Sequence, residues 1–223
     1  MRGREHFLSN LLFSLAALFA LITVFSISDR SHNVFFRSRT EGLSQTQAVL
    51  SISSEEAIGP HREFMGEPKS PYTLVEFGDY ECPPCRENDR IIPIILHDYK
   101  GKVRFAFRNL PLTIIHPLAK PAAVAAEAAR EQGDFWPMHD CLYSGPADLF
   151  RRESIKAAVK SQHLDMTRFN VACSSSAKMA VEADVATASK LDIHATPTFL
   201  LCLPNGKVVR LDSLEDLSTL VSN

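Results

Sequence analysis

The tightest constraint on the fold is the stretch Thr73–Arg86, T-L-V-E-F-G-D-Y-E-C-P-P-C-R. An apolar, β-prone run (Leu74, Val75, Phe77) stops at Gly78, Cys82-Pro83-Pro84-Cys85 follows, and a segment of helical character comes next. Two cysteines separated by two residues, where a strand hands over to a helix, read as a redox pair. The first would sit at the helix start, where free N–H groups and the positive end of the dipole favour a thiolate. The second lies about one turn on, within reach of a mixed disulfide on the first. Pro83 falls near the first helical position, where its missing N–H costs nothing. C-x-x-C is also half of a zinc site, but the sequence has no second C-x-x-C and no H-x-x-x-H. The reading therefore includes no metal and no cofactor.

The pair needs an oxidising surrounding to hold a disulfide, and the start of the chain bears on that. Arg2 and Arg4 precede an apolar run, Leu8 to Ile27, broken only by Ser9, Asn10, Ser14, Thr23 and Ser26. As a helix the run would span about 30 Å, enough to cross a bilayer. Residues 1–28 read as a signal anchor with the basic end in the cytoplasm, so the rest of the chain is expected outside it. Ser26 and Ser28 offer a weak small-x-small site, and a cleaved signal is the alternative. Residues 29–61 read as a polar linker, with a marginal helix over 43–57. A domain over 62–223 follows. The net charge of −2 gives no sign of a nucleic-acid partner.

Within the domain, a helix is expected from Cys85 to about Tyr99, kinked at Pro93. Lys102–Arg108 alternates apolar and basic residues and reads as a strand. Helices are expected over Leu118–Arg130, Phe135–Tyr143, Glu153–His163, Met166–Ala172 and Ala177–Leu191, with Asp134 and Asp165 as N-caps. Thr198–Leu203 reads as a buried strand and Val208–Leu211 as its hairpin partner across Pro204-Asn205-Gly206-Lys207. Ser213, with Asp216 three residues on, caps a terminal helix. The order is β-α-β, a helical insertion over about 112–192, then β-β-α.

Three segments carry a family resemblance: V-E-F-G-D-Y-E-C-P-P-C, then H-P-L-A-K-P-A-A-V-A-A-E-A-A with F-W-P-M-H-D, then A-T-P-T-F. Together they resemble the DsbA-like thiol:disulfide oxidoreductases of bacterial envelopes. The resemblance implies an α/β thioredoxin-like fold, a central mixed β-sheet flanked by helices, with an inserted helical block; the membrane-spanning helix would precede it. It implies that Thr196-Pro197 is the cis-proline loop facing the cysteines, with Thr196, Pro197, Pro83 and Pro84 lining the groove for a substrate chain. It places a buried acid at Glu76, six residues before Cys82, to accept the Cys85 proton. An acid facing solvent on a sheet edge is the alternative, although Leu74, Val75 and Phe77 suggest a central strand. The implied partners are exported proteins with thiols or disulfides and a membrane redox partner, in the periplasm or cell envelope.

One departure from the DsbA pattern bears on the chemistry. Pro84 stands where DsbA has histidine, and it can neither carry charge nor donate to a thiolate. Asp79 and Glu81 add negative charge nearby, with Arg86 as a partial offset. The direction of electron flow stays open, and the alternatives are a reductase or isomerase fed by a membrane electron donor, or a non-catalytic thioredoxin-like binding or metal-carrier module. Cys202 reads as a buried thiol, and Cys141 and Cys173 as two thiols or one bridge. His116 and His139 read as helix-end or packing residues and Trp136 as a packing anchor. His194 lies three residues before Pro197, either at the rim of the site or simply in a loop.

Overall fold

A computed structural model describes residues 48–60, 62–144 and 150–221 of the chain. The candidate anchor over 1–28 and the first part of the expected linker lie outside these residues. Among the described residues, no helix is long and apolar enough to cross a membrane.

The strands are β1 (Val49–Leu50), β2 (Met65–Gly66), β3 (Tyr72–Gly78), β4 (Val103–Asn109), β5 (Thr198–Cys202) and β6 (Val208–Leu211). They form one sheet in the order β1-β6-β5-β3-β4-β2. Only β3 and β4 run parallel, with Glu76 opposite Phe107; the other neighbours are antiparallel. All seven residues of β3 are buried, as expected for a strand covered on both faces. Side chains alternate along it. Leu74 joins a core with Cys85, Phe105, Phe107 and Leu201, and Val75 and Phe77 join a second core with Ala106, Leu200 and Ile193. Each such fully buried apolar side chain contributes about 1.5–3 kcal/mol.

The crossover from β3 to β4 holds α2 (Pro83–Asp89) and α3 (Ile92–Asp98), preceded in the chain by α1 (Ser54–Ile58). The expected kinked helix is thus two helices. Pro93 opens the second one, a position where its absent N–H breaks no bond, and the turn falls at Arg90–Ile91. Between β4 and β5 come α4 (Ala119–Arg130), α5 (Phe135–Tyr143), α6 (Arg152–Ser161), α7 (Met166–Ser174) and α8 (Ser176–Lys190), close to the expected spans. Asp165 accepts from the N–H groups of Thr167 and Arg168, whereas the Asp134 side chain makes no capping bond. A 3-10 turn (Leu214–Asp216), with the Ser213–Asp216 box formed, leads into α9 (Leu217–Leu220).

The linker expectation needs correction at its end. Val49 and Leu50 pair with Val209 and Val208, and α1 follows with Ser53 as its N-cap and Ala57 wholly buried. The carbonyls of Glu56 and Ala57 accept from Arg108 Nη1 at 2.7 and 3.2 Å. A five-residue helix with one small apolar residue inside has little sequence signal, because a distant arginine holds it.

That arginine belongs to a buried ion cluster that fixes the helical insertion to the sheet. Asp184 on α8 accepts from Arg108 Nε at 2.9 Å, from the Asn109 backbone N–H at 2.9 Å, and from Arg62. Glu127 on α4 accepts from Arg62 at 3.0 Å, Asn109 Nδ2 at 2.7 Å and Arg130 at 2.9 Å.

Candidate active site

Cys82 is the N-cap of α2 and Pro83 its first residue, so the helix begins at the cysteine as expected. Pro83 and Pro84 are exposed, whereas both cysteines are buried, Cys82 at 4% exposure and Cys85 at 0%, so Cys82 is only slightly the more accessible of the two. Both are thiols in this structure. Facing them is the Thr196–Pro197 peptide, which is cis. Cys82 Sγ–H donates to the Thr196 carbonyl at 3.4 Å. The Thr196 hydroxyl has no hydrogen-bond partner among the described residues while Cys82 is a thiol, and it can donate to a thiolate there.

The thiol of Cys82 is lowered to about 6. The largest cause is the Cys85 thiol, which donates to it; burial opposes this; the Thr196 side chain and the Cys85 backbone N–H lower it further, and Asp79 raises it. Cys85 is pushed far up, by burial first and then by its neighbour Cys82 and by Glu76. One sulfur is thus ready to attack at neutral pH and the other holds its proton.

Glu76 sits beneath the pair, 2% exposed, on the same face of β3 as Leu74. Burial pushes its carboxyl well above the usual range, the Asp89 charge pushes the same way, and a hydrogen bond with Cys85 works against both. Its Oε1 has no hydrogen-bond partner among the described residues. Phe107 lies beside it, and Gly78 makes room for that ring: a Cβ at Gly78 would stand 2.4 Å from Phe107 Cε2 and 2.9 Å from Glu76 Oε1.

The two acids flanking the motif are engaged elsewhere. Asp79 accepts from the Glu81 N–H at 2.8 Å, the Leu112 N–H at 2.9 Å and His116 Nδ1 at 2.8 Å. Glu81 accepts from the Leu118 N–H at 2.7 Å. Arg86, read as a partial offset to their charge, has buried partners of its own. It is buried and donates to the carbonyls of Tyr80, Leu142 and Ser144, with its guanidinium over the Tyr143 and Phe150 rings. His194 is 70% exposed at its side chain and pairs with Asp192. Cys141, Cys173 and Cys202 are free thiols, and burial raises Cys202 to about 11.

Beside Pro197 runs a groove of about 510 Å3, floored by Ile91, Ile95, Phe199 and Leu214 and rimmed by Asp212 and Glu215. A groove at Pro197 was expected, but the sequence reading named none of these other lining residues, because they come from three separate parts of the chain.

A cysteine pair opening a helix, a cis-proline loop across from it and a helical block inserted into the fold define a DsbA-like protein with the thioredoxin architecture. The comparisons agree. The sequence model of the thioredoxin family (Thioredoxin_4) matches residues 59–223, and the chain belongs to that family. A thioredoxin-like oxidoreductase from Silicibacter pomeroyi DSS-3 superposes with a TM-score of 0.62 at 26% identity, covering 76% of this chain and 96% of that one. Oxidised BdbD from Bacillus subtilis gives 0.61 at 28% identity, covering 76% and 95%. The thiol-disulfide exchange protein alpha-DsbA2 from Wolbachia pipientis shares the fold at 22% identity, with a TM-score of 0.60 over 74% of this chain and 88% of that one. Among curated relatives, the Na(+)/H(+) antiporter NhaA 3 of Salinispora tropica is 37% identical over 154 residues, 67% of this chain and 22% of that protein. NhaA 1 of Mycolicibacterium gilvum is 35% identical over 172 residues, 75% of this chain and 27% of that protein. The chain therefore spans only about a quarter of the length of the curated relatives it matches.

Proposed function

We propose that the protein is a thiol:disulfide oxidoreductase of the bacterial cell envelope that exchanges disulfides with exported proteins through Cys82 and Cys85. The observation that carries this is the unequal pair: a Cys82 thiol at the start of α2, facing the cis Thr196–Pro197 peptide and lowered to about 6, beside a Cys85 thiol wholly buried and pushed up by that burial and by Glu76. In the reducing direction the Cys82 thiolate attacks a substrate disulfide, forms an S–S bond with one sulfur and expels the other as a thiolate. Cys85 then gives its proton to the Glu76 carboxylate and attacks Cys82 Sγ. The Cys82–substrate bond breaks, the second substrate sulfur leaves as a thiolate, and two electrons have passed to the substrate. Oxidation runs the same steps backwards. Thr196 and Pro197 offer backbone groups to the substrate chain, and Pro83 and Pro84 form the exposed rim beside it.

The value near 6 lies closer to the roughly 7 of thioredoxin than to the roughly 3.5 of DsbA. It supports a weaker oxidant than DsbA and a role as reductase or isomerase fed by a membrane electron donor. Placement outside the cytoplasm rests on Arg2, Arg4 and the Leu8–Ile27 run. The antiporter names of the longer relatives support work at a membrane.

Insulin reduction tests the chemistry: the wild type should precipitate insulin chains, and Cys82→Ser should not. Equal activity in the variant would sink the exchange reading. Carbonate washing of membranes tests the anchor: full-length protein should stay with them, whereas a soluble form beginning near residue 27 or 29 would mean a cleaved signal.

A further inference from the structure

Next to the cysteine pair lies a buried chain of side chains that the exchange steps above do not use. His139 on α5 is 1% exposed, with Nδ1 3.0 Å from Tyr80 Oη and Nε2 3.1 Å from Asp89 Oδ1. A carboxylate only accepts, so Nε2 carries the hydrogen. In the neutral ring Nδ1 is then an acceptor, and the Tyr80 hydroxyl donates to it. The order Tyr80 to His139 to Asp89 follows from the chemistry of the three groups. The rings of Tyr80, Phe107, Phe135, Trp136 and Tyr143 box the imidazole, the nearest centroid at 4.7 Å and the farthest at 5.7 Å. The imidazole is held on all sides.

Asp89 ends α2, the helix that Cys82 begins, and its side chain is 24% exposed. A partly exposed carboxylate on a short helix would ordinarily sample several rotamers. Here it is held from inside the protein. Asp89 lies four residues after Cys85 on α2, on the same face of the helix as the thiol that bonds Glu76, and after burial itself its charge is the largest influence on the Glu76 carboxyl. The other titratable groups that act on Glu76 or feel it are Cys82 and Cys85 on α2, Tyr80 in the turn before α2, and Tyr143 on α5. Burial pushes both tyrosines well up, so they are neutral at working pH. Asp140, beside His139, is raised by burial and lowered by the imidazole.

We propose that His139 is a positioning residue for the proton transfer at Glu76: by clamping Asp89 it fixes a negative charge near the Glu76 carboxyl and so sets the pH at which Glu76 takes the Cys85 proton. The role depends on Glu76 being the acceptor, as proposed above. The sign is definite. A fixed negative neighbour disfavours the Glu76 carboxylate, so removing or releasing it moves the Glu76 titration to lower pH. Resolution of the mixed disulfide, which needs that carboxylate, then reaches half its maximal rate at lower pH.

Two readouts decide the matter: the pH profile of mixed-disulfide resolution, and the Glu76 carboxyl titration followed by carbon-13 NMR on glutamate-labelled protein. Asp89→Asn should move both down by about half a unit or more. His139→Phe, which keeps the ring in its aromatic box but loses both hydrogen bonds, should move them in the same direction. His139→Gln, which keeps a donor for Asp89, should restore wild-type behaviour, and adding His139→Phe to Asp89→Asn should shift nothing further. An unmoved Glu76 titration in Asp89→Asn overturns the proposal. So does a His139→Phe shift that adds in full to that of Asp89→Asn. Asp89 is partly exposed, so its variant stays informative even if His139→Phe folds poorly. If Glu76→Gln leaves the resolution profile unchanged, the acceptor role of Glu76 fails, and the carboxyl titration still tests the clamp separately.

Discussion

Glu76 and Asp184 are both carboxylates buried against the same sheet, yet they are built in opposite ways. Asp184, fully buried, accepts from Arg108, Arg62 and the Asn109 backbone N–H. Glu76, 2% exposed, has one oxygen with no hydrogen-bond partner among the described residues and an acid, Asp89, as its strongest charged influence. An acid surrounded by donors is held in place and serves the fold. An acid denied them binds its proton more tightly, a property suited to proton transfer. Burial alone does not separate the two roles; the hydrogen-bond inventory does.

Removing the satisfied acid should have the largest effect. Asp184→Ala takes the carboxylate from buried Arg108 and leaves Arg62 with Glu127 alone, and loss of one partner of a buried pair costs about 3–5 kcal/mol. Urea unfolding should show that loss. A cost below about 1 kcal/mol would mean that the cluster is not the clamp described here.

Removing the unsatisfied acid should do the reverse to stability and harm the chemistry. Glu76→Gln should slow resolution of the Cys82 mixed disulfide by about 10²-fold or more while leaving its formation nearly unchanged. Equal slowing of both steps would remove the proton role. The stability sign also differs from that at Asp184. The folded-state pKa of Glu76 is raised, so the folded protein holds its proton more tightly than the unfolded chain does. Stability therefore falls as pH rises from about 4.3, the unfolded value, up to the raised folded value. The glutamine variant should lack that fall, and unfolding midpoints measured across pH would show it.

The smallest change sharpens the contrast at the sulfur itself. Pro84→His offers the Cys82 thiolate a charge or donor that proline lacks. It should take the thiol below about 6 and raise the potential of the pair. Each 30 mV is about 1.4 kcal/mol, so equilibration with glutathione resolves even a modest change. A wild-type potential at or above the roughly −120 mV of DsbA would mean that something other than the dipeptide governs the thiolate.

The sequence carried most of the fold for a physical reason. The apolar, β-prone run of β3 and the 3.6-residue faces of α4 to α8 are local patterns, and so is a proline at a helix start. The ion cluster was not legible. Lys102–Arg108 reads as a plain alternating strand, and nothing local says that Arg108 is buried on Asp184, 76 residues away. The same distance hid α1, whose carbonyls cap that arginine, and it hid the partners of Asp79 and Arg86. At the site, Cys82, Cys85 and Pro197 were legible from motifs. The burial of Glu76 followed from its neighbours in the strand. The clamp on Asp89 was not legible, because His139 gives no sign in sequence of which acid it faces.

Gly78 carries one last consequence. Its backbone is unexceptional, yet any side chain there would drive into the Phe107 ring beside the Glu76 carboxyl. A saturation scan scored by redox activity would rank this position beside the cysteines. The reason would be steric: the glycine leaves the space that keeps a proton acceptor dry.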